Sequence, residues 1–373
     1  MSLLFSPYQL NSPSGVLELA NRIMIAPMCQ YSAENGKAAD WHLAHWTNLF
    51  NSGAGAFIIE ATAVNPEGRI SPYCLGLWDD DTERAFSDIL KRSRKLAAPI
   101  VVGVQLSHSG RKGSSRAPWD GGSLISMVDG GWKTLAPSAI SHAPGEDVPL
   151  AIDAAGLEHI KTSFKESAKR AARSGVDFIE LHAAHGYLLH QFLSPLSNQR
   201  NDQYGGSLEN RMRFPLEIFK AVREVYSGVI GVRVSATDWA EGGWNPQETE
   251  AFVQELKKLG ASYIHVSTGG LAHNQKISIG PGYQVPYATS IKKDVGLPTV
   301  TVGLITEPMQ AEKILASGEA DLIAFARAFL YKPRWAWEAA QVLGGQVDAA
   351  KQYWRCLPKE ASTIFKESKV SQR

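Results

Sequence analysis

The chain of 373 residues contains 44% hydrophobic and 20% charged residues and has a formal net charge of +1. These values are ordinary for a soluble globular protein and exclude the basic excess typical of proteins that bind nucleic acids or anionic membranes. The amino terminus lacks the features of a signal peptide, no stretch approaches the about 20 apolar residues of a membrane span, and the cysteines form no CxxC pattern. We therefore expect a cytoplasmic protein that acts on small molecules.

Short runs rich in valine and isoleucine alternate with amphipathic segments along the chain. The runs predict eight strands, at residues 23–28, 54–64, 99–108, 177–182, 229–235, 263–267, 299–305 and 322–329. Helices are predicted between several of them, from a cap at Asp81 or Thr82 to 97, over 157–174, from a cap at Ser207 to 226, and over 246–259 and 307–317.

This alternation predicts a single (β/α)8 TIM barrel, because eight regular units in a doubly wound sheet are rare. The main irregularity is the segment 113–150, which follows the third strand and is rich in glycine, proline and serine. We expect it to form an excursion over the C-terminal mouth of the barrel.

Polar residues lie near the C-terminal ends of three strands, at the alternate positions whose side chains face the barrel interior. They are Gln105, His182 and Arg233, at the end where barrel enzymes build their active sites. Burying an arginine is costly unless an anionic or electron-rich group meets it. Arg233 is therefore interpreted as a ligand contact, with a structural salt bridge to Glu180 as the alternative.

The end of the fourth strand carries two histidines and a tyrosine in close succession. Ala183, Ala184 and Gly186 are small enough to allow a tight bend that brings His182, His185 and Tyr187 together. The alternative is that these side chains form separate hydrogen bonds at an ordinary strand end.

Small residues after the seventh and eighth strands occupy the corner where barrels bind phosphate. Gly303 and Ala326 allow backbone N–H groups to approach a phosphate, and Arg327 can add a charge-assisted pair. Together with an inward amide and an inward guanidinium, this corner indicates a phosphorylated heteroaromatic cofactor.

Motifs spread over nearly the whole chain resemble the old yellow enzymes, in particular their thermophilic-like branch, which includes xenobiotic reductases. The motifs lie at residues 21–23, 26–31, 40–42, 60–64, 105–112, 182–187, 198–211, 302–305 and 352–353. The resemblance implies non-covalent FMN at the barrel mouth, NADPH or NADH as reductant, and a homodimer or a dimer-built tetramer. It divides the chain into an FMN-binding barrel over 1–355, which includes a C-terminal active-site segment, and a tail over 356–373.

The resemblance also implies roles for individual residues. Flavin contacts are expected from Ala26, Pro27, Met28, Cys29, Ala63, Gln105, Arg233, Ala326 and Arg327, and substrate contacts from Tyr31, His182, His185 and Tyr187. Cys29 is expected to modulate the redox potential of the flavin and to touch the substrate. Trp354, Arg355 or both are expected to line the active site of a neighbouring subunit, with capping of the last helix of the chain's own barrel by Arg355 as the alternative. Ala326 departs from the glycine usual in the family, so the phosphate contact there is expected to be slightly displaced.

The expected activity is ping-pong reduction of activated C=C bonds in enones, enals, maleimides or nitro compounds. His182 and His185 would donate hydrogen bonds to the oxygen that gains negative charge, and Tyr187, a phenol of normal acidity, would protonate the α-carbon. A 2,4-dienoyl-CoA-type or nitroester reductase on the same fold is an alternative. A metal-dependent barrel hydrolase that uses Glu180 with the two histidines, or a barrel that only binds a ligand, is an alternative of another class.

Overall fold

Eight parallel strands form a closed barrel in chain order in the structure, a computed structural model that describes residues 2–367. The strands are Ile23–Ile25, Ala56–Ala63, Val101–Ser107, Phe178–Ala183, Val229–Ser235, Tyr263–Ser267, Thr299–Thr301 and Leu322–Phe325. The last strand pairs with the first, with Ile323 opposite Ile23. The predicted (β/α)8 barrel is therefore confirmed.

One main helix follows each barrel strand. These helices are Asp40–Phe50, Asp80–Lys95, Ala154–Arg173, Leu208–Arg223, Pro246–Lys258, Val285–Val295, Pro308–Ala316 and Trp335–Leu343, and two short helices, Leu188–Leu193 and Arg327–Tyr331, precede the fourth and eighth of them. The five predicted helical segments are all helical. The first, sixth and eighth helices were not predicted from the sequence.

Several predicted boundaries are wrong, among them the ends of the first and seventh strands, which stop at Ile25 and Thr301 instead of 28 and 305. Two others have a local reason. The second helix is capped by Asp79, whose carboxylate accepts a hydrogen bond of 2.8 Å from the Thr82 N–H, rather than by Asp81 or Thr82. The eighth strand ends at Phe325 instead of 329, because the chain turns at Ala326 into the short helix that begins at Arg327.

An antiparallel hairpin, Tyr8–Ser12 with Gly15–Leu19, precedes the barrel. Its fully buried Leu10 and Leu19 pack with inward-facing barrel residues such as Met24 and Leu322. The hairpin therefore contributes to the core inside the barrel.

The barrel wall separates two apolar cores. Outward side chains such as Val102 and Val104 pack beneath the helices, whereas Phe178 and Tyr263 fill the interior. A Cβ atom at position 231 would lie 2.0 Å from the Tyr263 ring, so only glycine leaves room for this ring. The polar residues predicted to face inward lie above these rings.

A β-bulge shifts the second strand by one residue between Ile59 and Ala61. Glu60 is the extra residue, and its carboxylate meets His42 of the first helix at 3.3 Å. Beyond the bulge, Ala61 pairs with Gln105 and Ala63 pairs with Ser107. Because of the bulge, Ala63 faces the same side of the sheet as Gln105, which is the barrel interior.

The excursion at 113–150 lies over the C-terminal mouth. It contains the short parallel strands Leu135–Ala136 and Leu150–Ala151 and the 3-10 helices Pro118–Asp120 and Met127–Asp129. The Trp119 ring meets Tyr31 edge-on at 5.5 Å between centroids. Arg111 donates to the carbonyl oxygens of Ile140 and Ser141, which ties the excursion to the barrel.

The described part of the C-terminal tail folds back on the barrel. Val347 pairs with Phe365, and the Phe365 ring packs against Trp337 at 4.8 Å between centroids. Residues 368–373 of the predicted tail lie outside the described residues. Within residues 2–367, no helix combines the length and the apolar character that a membrane crossing requires.

Candidate active site

Two imidazoles and a phenol meet where the fourth barrel strand ends. The His182 ring lies 5.2 Å from His185 and 4.8 Å from Tyr187 between centroids, with nearly perpendicular planes in both pairs. The turn requires a left-handed backbone at His185, where φ is 56°, and at Gly186. A Cβ atom at position 186 would lie 2.3 Å from the carbonyl oxygen of Gly270, so the turn packs tightly on the sixth strand's loop.

A buried histidine–aspartate pair supports this turn from below. His190 Nδ1 accepts a hydrogen bond of 3.0 Å from the Gly186 N–H, and His190 Nε2 lies 2.9 Å from Asp238. Both side chains are fully buried. The carboxylate fixes the histidine tautomer that accepts from the turn.

A backbone hydrogen bond defines which ring nitrogen of His182 can donate, and His185 is held by Ser267. His182 Nδ1 accepts from the Ala184 N–H at 3.3 Å, which leaves Nε2 to carry the proton. His185 Nε2 lies 2.8 Å from Ser267 Oγ. Ser267 and Thr268 both donate to Gln284 Oε1, at 3.2 and 2.8 Å, so His185 is linked through Ser267 to Gln284.

Burial, followed by the charge of Arg233, lowers the pKa of both His182 and His185 well below the usual histidine value. Both imidazoles are therefore neutral near pH 7. Burial raises the pKa of Tyr187 well above 10, so the expectation of a phenol of normal acidity is wrong. The phenol stays protonated and remains a possible proton donor.

Lys112 is part of this site, although no separate role was predicted for it. Its Nζ donates to the carbonyl oxygens of His185 at 2.9 Å and Gly270 at 3.0 Å, and it lies 5.1 Å from the centre of the Tyr187 ring. Burial lowers the pKa of Lys112 to about 8. Lys112 thus links the loop that carries His185 to the loop that carries Gly270.

The residues after the first strand line another side of the mouth. Ala26 is buried, whereas Pro27, Met28, Cys29 and Tyr31 are partly exposed. Burial raises the pKa of the Cys29 thiol well above 9, so it is not a thiolate. Tyr31 has a φ of 49°, and burial followed by the nearby Cys29 raises its pKa.

Gln105 and Arg233 fit a flavin at the mouth. Gln105 Nε2 donates to Glu180 at 2.8 Å. Arg233 is only 7% exposed, forms no ion pair with any residue in the 2–367 range, and its Nε has no hydrogen-bond partner there. The alternative salt bridge with Glu180 is therefore not formed. A buried, unpaired guanidinium suits an electron-rich edge such as the flavin pyrimidine ring.

The predicted phosphate corner has the small residues and the unusual backbone that such a site needs. Gly303 has a φ of +117° and Leu304 a φ of 49°, and a Cβ atom at 303 would lie 2.6 Å from Gln284 Nε2. Gln284, which the sequence did not indicate, donates to Val302 O at 2.8 Å. Arg327 is exposed where the short helix begins.

Trp354 and Arg355 lie apart from the mouth residues of their own chain. Trp354 Nε1 donates to Ala349 O at 3.1 Å. Trp354 borders a cavity of about 440 Å³ that is also lined by Leu96 and Phe365. Arg355 is exposed.

A metal hydrolase would need ligands that converge on one point. In the part of the chain that the structure describes, no group of three or more histidine, cysteine, aspartate or glutamate side chains could hold a metal ion. The Glu180 carboxylate is engaged by Gln105, Tyr263 and His265 instead of joining the mouth histidines.

The fold and site together define a TIM-barrel flavin oxidoreductase. The chain belongs to the NADH:flavin oxidoreductase / NADH oxidase family, which matches residues 3–345, and this membership brings FMN as cofactor and NAD(P)H as reductant. It is 43% identical over 357 residues to an NADPH dehydrogenase of Listeria innocua, covering 95% of this chain and 99% of that protein. The identity to an NADPH dehydrogenase of Geobacillus thermodenitrificans is 40% over 356 residues, covering 95% and 98%.

Solved structures share the fold. Morphinone reductase matches with a TM-score of 0.75 at 26% identity, covering 99% of this chain and 94% of that chain. Its complex with tetrahydroNAD matches with a TM-score of 0.73 at 26% identity, covering 93% and 92%. These matches agree with the predicted resemblance to the old yellow enzymes.

Proposed function

We propose that this FMN-dependent oxidoreductase uses NADPH to reduce activated C=C bonds in enones, enals, maleimides or nitro compounds. The observation that carries the proposal is the cluster of two neutral imidazoles and a protonated phenol at the barrel mouth, formed by His182, His185 and Tyr187. The names of the NADPH dehydrogenase relatives support NADPH as reductant. The tetrahydroNAD complex of morphinone reductase supports a nicotinamide site on this fold.

The two histidines bind the substrate oxygen. When FMN is bound, it supplies hydride transfer between the nicotinamide and the electron-poor carbon of the alkene. Negative charge then grows on the conjugated carbonyl or nitro oxygen, and the N–H groups of His182 and His185 stabilise it more in the transition state than in the ground state. The fixed turn at Gly186 keeps these donors in position before the substrate arrives.

Tyr187 holds the proton for the α-carbon. Its raised pKa keeps the phenol protonated over the working pH range, and an enolate-like carbon is basic enough to take that proton. Tyr31 forms a further wall of the substrate pocket, covered by the Trp119 ring.

The FMN contacts are proposed at both ends of the flavin. Gln105 and Arg233 meet the pyrimidine edge, and Cys29 lies beside the ring as a neutral thiol that tunes the potential. The remaining contacts are Ala26, Pro27, Met28, Ala63, Gly303, Ala326 and Arg327.

We also propose a homodimer, or a tetramer built from dimers, in which Trp354 or Arg355 lines the partner's pocket.

Anaerobic half-reactions test this function. The purified protein should carry about one FMN per chain, NADPH should bleach it, and 2-cyclohexenone or a maleimide should restore its colour. A colourless protein that fails to bind added FMN would contradict the cofactor assignment. Reduced enzyme that no enone, enal, maleimide or nitro compound reoxidises would contradict the substrate class.

A further inference from the structure

Glu180 is a fully buried carboxylate inside the barrel, directly below the mouth residues in its strand. Its Oε1 accepts from Gln105 Nε2 at 2.8 Å, and its Oε2 accepts from the Tyr263 hydroxyl and lies near His265 Nδ1, each at 3.0 Å. An isolated carboxylate in this position would be neutralised, but three donors favour the charged form. The barrel therefore holds an anion where its core is otherwise filled by apolar rings.

The network carries one negative charge. Burial alone would raise the pKa of Glu180, but His265, Arg233 and the hydrogen bond from Gln105 outweigh it, and the net pKa lies below the usual glutamate value. Burial and the charge of Arg233 lower the pKa of His265, so its imidazole donates to Glu180 as a neutral group. Tyr263 stays protonated, because burial and Glu180 raise its pKa.

Arg233 is the positive counterpart of this anion without touching it. Strand register places it beside His182 on one side and His265 on the other. Burial lowers the pKa of Arg233. Among the nearby charges, Glu180 opposes this shift most strongly. The two charges therefore balance through space while the guanidinium remains available to a ligand.

Glu180 also determines how Gln105 is oriented. An ionised carboxylate only accepts hydrogen bonds, so the amide NH2 of Gln105 must face Glu180. Among residues 2–367, Gln105 Oε1 accepts no side-chain hydrogen bond. The amide oxygen is thus the group of Gln105 left to meet a donor on a ligand.

We propose that Glu180 is a positioning residue for the flavin site, which fixes the Gln105 amide and offsets the charge of Arg233. This inference rests on the proposed placement of FMN at Gln105 and Arg233. Reduced FMN gains negative charge at its pyrimidine edge, so the Glu180 anion disfavours the reduced form relative to the oxidised form. Glu180 therefore keeps the midpoint potential more negative than Arg233 alone would set it.

The Glu180→Gln variant removes the charge while keeping the shape. At pH 8 its FMN should favour the reduced form by at least about tenfold relative to wild type, which is a rise of about 30 mV for a two-electron couple. Glu180→Asp keeps the charge and should return the potential towards that of wild type. Tyr263→Phe is the matched control, because it removes one donor without removing the anion, and its shift should stay below about twofold, or about 9 mV.

A second pair of variants is used if Glu180→Gln does not fold because the charge of Arg233 has lost its negative counterpart. The double variant Glu180→Gln/Arg233→Gln removes both charges of this pair, and its potential should be less negative than that of Arg233→Gln alone. An unchanged potential in FMN-loaded Glu180→Gln, or an equal rise in Tyr263→Phe, would overturn the role of Glu180. Failure of the wild type to bind FMN would instead overturn the proposed function.

Discussion

Replacing Lys112 with methionine separates the charge of the lysine from its length. In the wild type the Nζ atom donates to the carbonyl oxygens of His185 and Gly270 while burial holds its pKa at about 8. Arg111 lowers this pKa further and Glu146 opposes the shift. The methionine fills a similar space, removes the titrating group, and leaves both carbonyls without their donor.

The effect on stability has a definite sign and pH range. The pKa of Lys112 is about 8 in the folded chain and 10.5 in its ordinary state. Between these values the unfolded chain binds more protons, so the folded state gains stability as the pH rises. At roughly 1 kcal/mol or slightly more per pKa unit, the wild type gains about 2 to 3 kcal/mol between pH 7 and pH 10 from this group.

Urea unfolding of wild type and Lys112→Met at pH 7 and pH 10 measures this term, because other titrating groups are shared and cancel. The free energy of unfolding of the wild type relative to the variant should increase by about 2 to 3 kcal/mol over that range. The variant should also slow reoxidation by enones, since the His185 loop loses its tie to Gly270. A difference in stability that does not depend on pH would contradict the lowered pKa of Lys112.

Three further changes test individual roles. Tyr187→Phe should slow flavin reoxidation by enones at least about tenfold and affect reduction by NADPH much less, and equal slowing of both half-reactions would indicate a positional role. Cys29→Ser should shift the midpoint potential while FMN stays bound, and an unchanged potential would make Cys29 a packing residue. Truncation before Gln352 should raise KM for enones and weaken self-association in sedimentation, whereas an oligomeric truncated enzyme with unchanged kinetics would exclude a site shared through Arg355.

The barrel was predictable because its signals are local and repeated. Eight apolar runs and the alternation of side chains within each strand predicted that Gln105, His182 and Arg233 face the barrel interior. In the structure Gln105 donates a hydrogen bond to Glu180, and Arg233 lies beside His182 on the neighbouring strand. The period of two cannot reveal the bulge at Glu60, because the residues on both sides of it are apolar. Helix 40–50 was missed for a related reason, since a tryptophan- and histidine-rich segment has weak apolar periodicity.

The missing parts of the site depend on contacts between residues far apart in the chain. Lys112 reaches His185 across 73 positions, and Gln284 connects the loops after the sixth and seventh strands. The raised pKa of Tyr187 arises from burial, which only the folded structure shows. Sequence supplied the residue types of the mouth, whereas its supporting groups required the three-dimensional structure.

The double variant His182→Ala/His185→Ala tests whether the two histidines bind the substrate oxygen. We expect this variant to keep FMN, to lose the charge-transfer band that phenols induce in the wild type, and to be reoxidised by 2-cyclohexenone at least about 10³-fold more slowly, the scale expected for the loss of oxyanion donors. Stopped-flow absorbance of the anaerobically reduced enzyme measures that rate. Reoxidation at the wild-type rate would contradict the assignment of His182 and His185 as the donors to the substrate oxygen.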